Sequence, residues 1–433
     1  MFDSTAARLA SLRAWTDQLR TAHEGLDDAG RIDMLRALEE LACAARAAQA
    51  MVTVDFDESQ RAAQAAAGVP QRRRGSDVAG QVALARRESP HRGRQHLGLA
   101  KALRDEMPDT MEAFRDGRIT EHKATLLVRE TACLSREDRR TVDARLAGNA
   151  DALERMGDQE LAGAAAKLAY QLDPEAIVER RRRAETDRRV TLRPAPDVMS
   201  QLSALLPMKQ GVSVYAALTR EADRLRAAGD ERSRGQIMAD ALVSRVVGGA
   251  ADGGAAAPDP HVMINLVVSD DVLLGASNEP AHVTGYGPVP ADLARSLASS
   301  ARVWLRRLYS SSATGSLVAM DSRARCVPTA IAALIRARDQ RCRTPWCDAP
   351  VRQVDHVKTV DEGGGTTVPN LQGLCEACNH TKQSPGWRQR PRPGPRHVVE
   401  TTTPTGHTYR STSPPLRHPS FVEVGPGHWA RVA

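Results

Sequence analysis

Residues 342–387 read CRTPWCDAPVRQVDHVKTVDEGGGTTVPNLQGLCEACNHTKQSPGW, and the spacing of the four cysteines decides how this stretch folds. Cys342 and Cys347 are separated by four residues and Cys375 and Cys378 by two, so each pair can sit on a tight turn and present two sulfurs to one ion. Four thiolates satisfy a closed tetrahedral zinc site with no open position for water. The expected zinc is therefore structural and cannot also be a catalytic ion. Such a site contributes about 10–16 kcal/mol of apparent binding energy that appears as folding energy, enough to hold a small module with few large apolar groups. The alternative is four reduced cysteines packed in a core. The remaining cysteines, Cys43, Cys133 and Cys326, stand alone and read as small buried hydrophobes, a pattern unlike a secreted disulfide framework.

Between and beside the cysteine pairs lie Val354-Asp355-His356, Gly363-Gly364-Gly365, Asn370-Leu371, Asn379 immediately after Cys378, and Lys382. This order resembles the HNH nuclease family, which folds as two strands and a helix around one metal, and the resemblance covers roughly Asp339 to Trp387. Its specificity comes from the combination, because a lone Asp-His pair is common. The resemblance implies that His356 is the general base, a role suited to the side chain that exchanges protons near neutral pH. It also implies that Asp355 binds a catalytic metal and that Asn379 supplies a second oxygen, a donor set suited to Mg²⁺ or Mn²⁺. Asn370 matches the family's middle asparagine, whose amide ties the loop between the strands and so orients the histidine. A plain turn asparagine beside Pro369 is the competing reading. Many family members carry a third histidine where this chain has Asn379. His380 could shift the alignment by one, but it would project about 100° further around a helix. Lys382 and Arg388 are candidate phosphate contacts.

The whole chain has 433 residues, 41% of them hydrophobic, room for two or three domains with real cores. No run of about 18 apolar residues occurs, and the first residues lack the layout of a secretory signal, so a soluble, cytoplasmic protein without a membrane partner is expected. Net charge is +7, with nine Lys and Arg against five Asp and Glu between 341 and 397, which favours a polyanion there. Only 3% of residues are aromatic, so stacking on bases has little material and phosphate contact is the expected mode. Arginine runs at 72–74 and 180–183 read as solvated helix faces.

The fold class is mainly α with small β elements: a helical N-terminal region followed by a C-terminal zinc-stapled ββα-metal module. Residues 1–250 carry apolar positions at helical spacing, as in Met34, Leu35, Leu38, Leu41 and Ala42, with breaks at Gly68–Pro70, Glu88–Pro90 and Asp173–Pro174. Strands are predicted at Arg189–Leu192 and His261–Val268, with helix over Val198–Val247 between them. The stretch GGAADGGAAAPDP at 248–260 reads as a linker. A mixed region, 251–338, holds short helices at Ala291–Leu308 and Pro328–Arg338, the module occupies 339–388, and residues 389–433 form a Pro/Arg/Thr-rich tail. The tail is expected to be mobile apart from one hairpin near Val398–Ser411.

HRGRQHLGLAKAL from His91, GRITEHKATLLVRET from Gly117, RVTLRPAPDVMSQLSALLP from Arg189 and RSRGQIMADALV from Arg232 resemble actinobacterial proteins in which a largely helical domain of unknown function precedes an HNH module. That resemblance carries no chemistry: the helical region is open to positioning DNA, binding a partner or self-association. Together the two resemblances imply a metal-dependent endonuclease acting on DNA, with Mg²⁺ or Mn²⁺ at the catalytic site and Zn²⁺ in the staple. The alternative is a non-catalytic zinc-stabilised nucleic-acid-binding or scaffold protein with a vestigial nuclease module.

Overall fold

The helical first region is a consequence of its composition and its caps. In the computed structural model, which describes residues 5–247, 266–283, 286–300, 308–310, 317–320, 327–415, 421–425 and 428–431, the chain divides into two units at Arg180. The first holds α1 (Thr5–Gln18), α2 (Asp28–Ala66), α3 (Val78–Arg86), α4 (Pro90–Glu106), α5 (Pro108–Arg115), α6 (Glu121–Glu130), α7 (Arg136–Leu146), α8 (Ala150–Arg155) and α9 (Asp158–Leu172). Helix α10 (Pro174–Thr186) runs across the division. Asp27, Ser89, Thr120, Ser135, Asn149 and Asp173 each accept a backbone N–H of the turn that follows them, satisfying donors a helix start leaves open. The breaks at Gly68–Pro70, Glu88–Pro90 and Asp173–Pro174 fall between helices.

Leu103, Met107, Phe114, Ile119, Leu127, Leu153 and Leu161 fill the core of this unit. Helices α3 and α4 approach closely at Gly93, where any Cβ would strike the Ala79 carbonyl oxygen. Buried Asp143 on α7 caps α5 from outside, accepting Asp109 N at 2.8 Å and Thr110 N at 3.0 Å; burial raises its pKa although these donors oppose the shift. The stripe on α2 is only partly used: Cys43 and Ala47 are buried, whereas Leu35 and Leu41 are exposed.

The second unit opens with a hairpin, β1 (Arg189–Pro194) and β2 (Ser200–Leu205), then α11 (Met208–Ala227) and α12 (Arg234–Val247). Helix had been expected to begin at Val198. Ser200–Leu205 is a strand because it alternates with β1 in register, Leu192 opposite Leu202 and Val190 opposite Ala204, and because Asp197 and Val198 take left-handed φ of 58° and 60° in the turn. The linker at 248–260 and the start of the predicted strand at 261–265 lie outside the described residues. Beyond them come β3 (Leu266–Val267), α13 (Asp270–Leu273), β4 (Ala281–Val283), β5 (Gly287–Val289), α14 (Ala291–Ser300) and the pair β6 (Leu308–Ser310) and β7 (Leu317–Met320). The helix expected over Ala291–Leu308 is described to Ser300, and Leu308 belongs to a strand.

Helix α15 (Val327–Asp339) leads into a small fold of two antiparallel strands, β8 (Gln353–His356) and β9 (Leu371–Leu374), closed by α16 (Glu376–Lys382). In the tail, the hairpin expected near Val398–Ser411 is present, and a preceding strand that was not expected extends it into a sheet. Strands β10 (Arg388–Arg392), β11 (Val398–Thr402) and β12 (Thr408–Thr412) form a three-stranded antiparallel sheet, with Val399, Glu400 and Thr401 buried. Glu400 accepts Arg392 and Arg410. Further anchors reach the small fold of β8, β9 and α16: the Arg343 guanidinium donates to the carbonyls of His397 at 3.1 Å and Ser411 at 2.7 Å, and a His397 ring nitrogen meets the Pro369 carbonyl at 3.0 Å. A proline-rich composition hid strand β10, whose Pro391 is tolerated because the strand lies at the sheet edge, while β-branched residues fill the central strand.

Candidate functional site

The two cysteine knuckles meet at the start of α16. Cys342 N donates to Ala349 O at 2.9 Å and Cys347 N to Thr344 O at 3.0 Å, closing the first loop, in which Trp346 is held at a left-handed φ of 60°. Cys375 is the N-cap of α16 and its sulfur accepts Cys378 N at 3.4 Å. All four sulfurs lie within 4.8 Å of one another, and Cys347 Sγ is 3.7 Å from Cys375 Sγ. A tetrahedron with Zn–S of about 2.3 Å has edges of about 3.8 Å, so the cradle fits zinc. Four thiols this close cannot all keep ordinary acidity. Hydrogen bonds from Cys342, Cys347 and Cys378 pull the Cys375 thiol far down, and contact with Cys347 first among several lowers Cys342. The same crowding pushes Cys347 and Cys378 up. A bound cation is what resolves such a cluster, by taking thiolates as ligands.

Strand β8 carries Asp355 and His356 beside this cysteine cluster. Side chains alternate across a strand, so Gln353 and Asp355 share one face with their register partners Leu374 and Gln372, and His356 pairs with Leu371 on the other. Helix α16 meets the first face. There the Asn379 amide donates to Gln353 Oε1, and Lys382 Nζ lies 2.6 Å from Asp355 Oδ2 and also donates to the His356 carbonyl. Asp355 Oδ1 accepts the His356 backbone N–H at 2.9 Å. Asn379 is buried and His380 exposed. The Asn379 Oδ1 atom is buried with no hydrogen-bond partner. A desolvated acceptor without a donor is costly. An orphaned amide oxygen and a carboxylate delivered by one helix and one strand face form a donor set that fits a hard divalent cation.

The imidazole is fixed from the loop between the strands: His356 Nε2 lies 2.9 Å from Thr366 Oγ1. Asn370, at the end of that loop, accepts Lys358 N at 2.9 Å through Oδ1 and donates through Nδ2 to Lys358 O at 3.0 Å and Gly365 O at 2.9 Å. Gly364 passes so close beneath that a Cβ would strike the Lys358 carbonyl and the Asn370 amide. Asp355, Asn379 and Lys382 are thus brought together and His356 follows directly on the strand. Arg388 lies apart, exposed on β10 opposite Thr402. Lys382, expected to reach substrate, is turned inward.

Several contributors escaped sequence reading. Gln353 was signalled by its place two residues before Asp355, on the same strand face. Thr366 carried no signal. The pair Arg338 and Asp339 is buried at the end of α15. Asp339 accepts Arg338 at 2.7 Å and Gly373 N at 2.7 Å, and Arg338 donates to Leu371 O at 2.7 Å and Val368 O at 2.9 Å, so this pair clamps β9. Burial lowers the Arg343 pKa to about 10, against the opposing pull of Asp339 3.7 Å away, and the guanidinium remains charged at neutral pH.

Comparison with known families agrees with this geometry. The model of a domain of unknown function, DUF222, matches residues 35–339. The chain belongs to the DUF222 family. In this DUF222 protein the match is followed directly by one to the HNH endonuclease family over residues 340–384, which takes in both cysteine pairs, β8, β9 and α16. The DUF222 protein therefore carries a nuclease-family module behind its helical domain. No curated protein and no solved structure matches it. Among the described residues, no helix is long and apolar enough to cross a membrane.

Proposed function

We propose that this DUF222 protein is a metal-dependent endonuclease that hydrolyses phosphodiester bonds in DNA. The observation that carries the reading is the buried, unpartnered Asn379 Oδ1 on the helix that packs over Asp355, one residue before the His356 imidazole. Oxygen donors in this pattern suit Mg²⁺ or Mn²⁺; Asp355 and Asn379 would hold the ion, which would supply Lewis-acid stabilisation of the phosphate and the leaving oxygen.

His356 takes the proton from the attacking water. Thr366 fixes one edge of its ring and Asn370 fixes the loop that carries Thr366, so the imidazole is oriented before substrate arrives. The four cysteines hold zinc as a staple and take no part in the chemistry. Arg388 and the arginines beside it on β10 give salt-sensitive phosphate contacts with little sequence preference. The protein acts in the cytoplasm, and its helical domain positions the DNA or a second copy of the chain.

The test is nicking of supercoiled plasmid with Mg²⁺ or Mn²⁺. The parent protein should convert plasmid to the open circle, and His356→Ala should lower the rate by about 10²- to 10⁴-fold, the usual worth of a general base. Equal cutting by both proteins removes His356 from the mechanism. No cutting by a zinc-loaded, folded parent favours the binding-only alternative.

A further inference from the structure

Lysine side chains on a helix end ordinarily lay their stems along the surface and leave the ammonium in water. Lys382 does the opposite. It is the last residue of α16, 9% exposed, with its ammonium 2.6 Å from Asp355 Oδ2 and donating to the His356 carbonyl. A buried ammonium needs a partner, and this one has taken the carboxylate that the proposed reading gives to the catalytic cation.

We propose that Lys382 is an internal counter-ion of the metal site, holding Asp355 while the divalent cation is absent and setting the affinity with which that cation is taken up. The inference rests on the assignment of Asp355 as a ligand. Two physical effects act in the same direction. Without Lys382, the partly buried Asp355 carboxylate would lose its ion-pair partner while the Asn379 oxygen on the same helix stayed orphaned, which destabilises the metal-free state. With it, a unit charge sits on the oxygen a dication must share, and repulsion between charges of +1 and +2 a few ångströms apart weakens binding even in a well-screened environment. Neutralising the lysine removes both obstacles to the cation. The penalty for a loosely bound cation is offset by a site whose strand end stays ordered without one.

The experiment is a Mn²⁺ titration of the full-length, zinc-containing protein, following the free-ion signal by electron paramagnetic resonance, with a thermal melt of the Mn²⁺-free form. Lys382→Met keeps the stem, Lys382→Gln keeps a donor for the His356 carbonyl, Lys382→Arg keeps the charge, and Asp355→Ala removes the ligand. Both neutral variants should bind Mn²⁺ on the order of tenfold more tightly than the parent. The arginine variant should match the parent or bind more weakly, and Asp355→Ala should lose the site. Metal-free Lys382→Met should melt below the parent and regain the difference on saturation. A purely structural lysine predicts the reverse, weaker Mn²⁺ binding in both neutral variants. Unchanged or weaker binding there, with parental binding still dependent on Asp355, overturns this inference alone. A parent that binds no Mn²⁺, or an Asp355→Ala variant that binds it equally, overturns the metal-site reading as well.

Discussion

The helical unit and the cysteine-stapled module bury opposite materials. The first is filled by Leu103, Met107, Phe114, Ile119 and Leu127, the ordinary solution for α-helices with one apolar face. The module, with the end of α15 and the tail sheet, buries Arg338, Asp339, Arg343, Asn370, Gln372, Asn379, Lys382, Glu400 and Thr401, and among large hydrophobics little beyond Leu334, Ile335, Val357, Leu371, Leu374 and Val399. An interior of paired charges contributes little net stability, because desolvation consumes most of what the pairing returns. The contrast gives the proposed zinc its role: the helical unit can stand on its core, whereas the module would depend on an ion.

The sharpest way to break this comparison is to remove the staple. Cys375→Ser should abolish zinc binding and unfold the module, a loss of up to about 10 kcal/mol of apparent binding energy, while the helical unit keeps its own melting transition. Zinc content measured beside circular dichroism checks both halves. Retained zinc would overturn the staple.

The reciprocal change is Phe114→Ala, expected to cost the helical unit about 3–5 kcal/mol and leave zinc content untouched. Chemical denaturation with a zinc assay reads it, and loss of zinc in this variant would contradict the separation of the two units' stabilities.

Acid should act on the module through His397. Burial, with Arg338 nearby, lowers its pKa to about 4, so the unfolded chain, titrating near 6.5, binds the extra proton. The stability linked to this neutral ring is present above about pH 6.5 and is lost as pH falls toward 4, on the order of 2 kcal/mol once its partial exposure is allowed for. His397→Asn should flatten the parent's stability profile over that window. A variant profile parallel to the parent's would remove His397 as the source.

The smallest effect belongs to the exposed strand. Arg388→Ala should slow nicking modestly at low salt and reduce the logarithmic salt slope by about one. Nicking rates across a salt series check it, and an unaltered slope would free Arg388 of phosphate contact.

The same contrast explains what could be read from the sequence. Helix starts were legible where a cap and a proline fall together, as at Ser89-Pro90 and Asp173-Pro174, because both act on the nearest backbone. The cysteine cradle was legible because metal ligands impose short spacings. Ser200–Leu205 was misread since its pairing partner lies beyond a tight turn with two left-handed residues that are not glycine. The inward turn of Lys382 and the clamp made by Arg338 and Asp339 were invisible, because burial of a charge is decided by partners far along the chain. The hairpin near Val398–Ser411 was legible, whereas the edge strand β10 was obscured by the prolines in and after it.

Arg343, between the first two cysteines, is bonded to carbonyls of His397 and Ser411. A residue near the beginning of the module is thus completed by residues made some fifty to seventy positions later. During synthesis, the guanidinium lacks its full set of carbonyl acceptors until residue 411 has left the ribosome, so the finished frame can form only once the tail sheet has emerged. A chain cut at residue 384, where the family likeness stops, would carry every proposed ligand and the proposed base yet leave the Arg343 guanidinium without its two carbonyl acceptors.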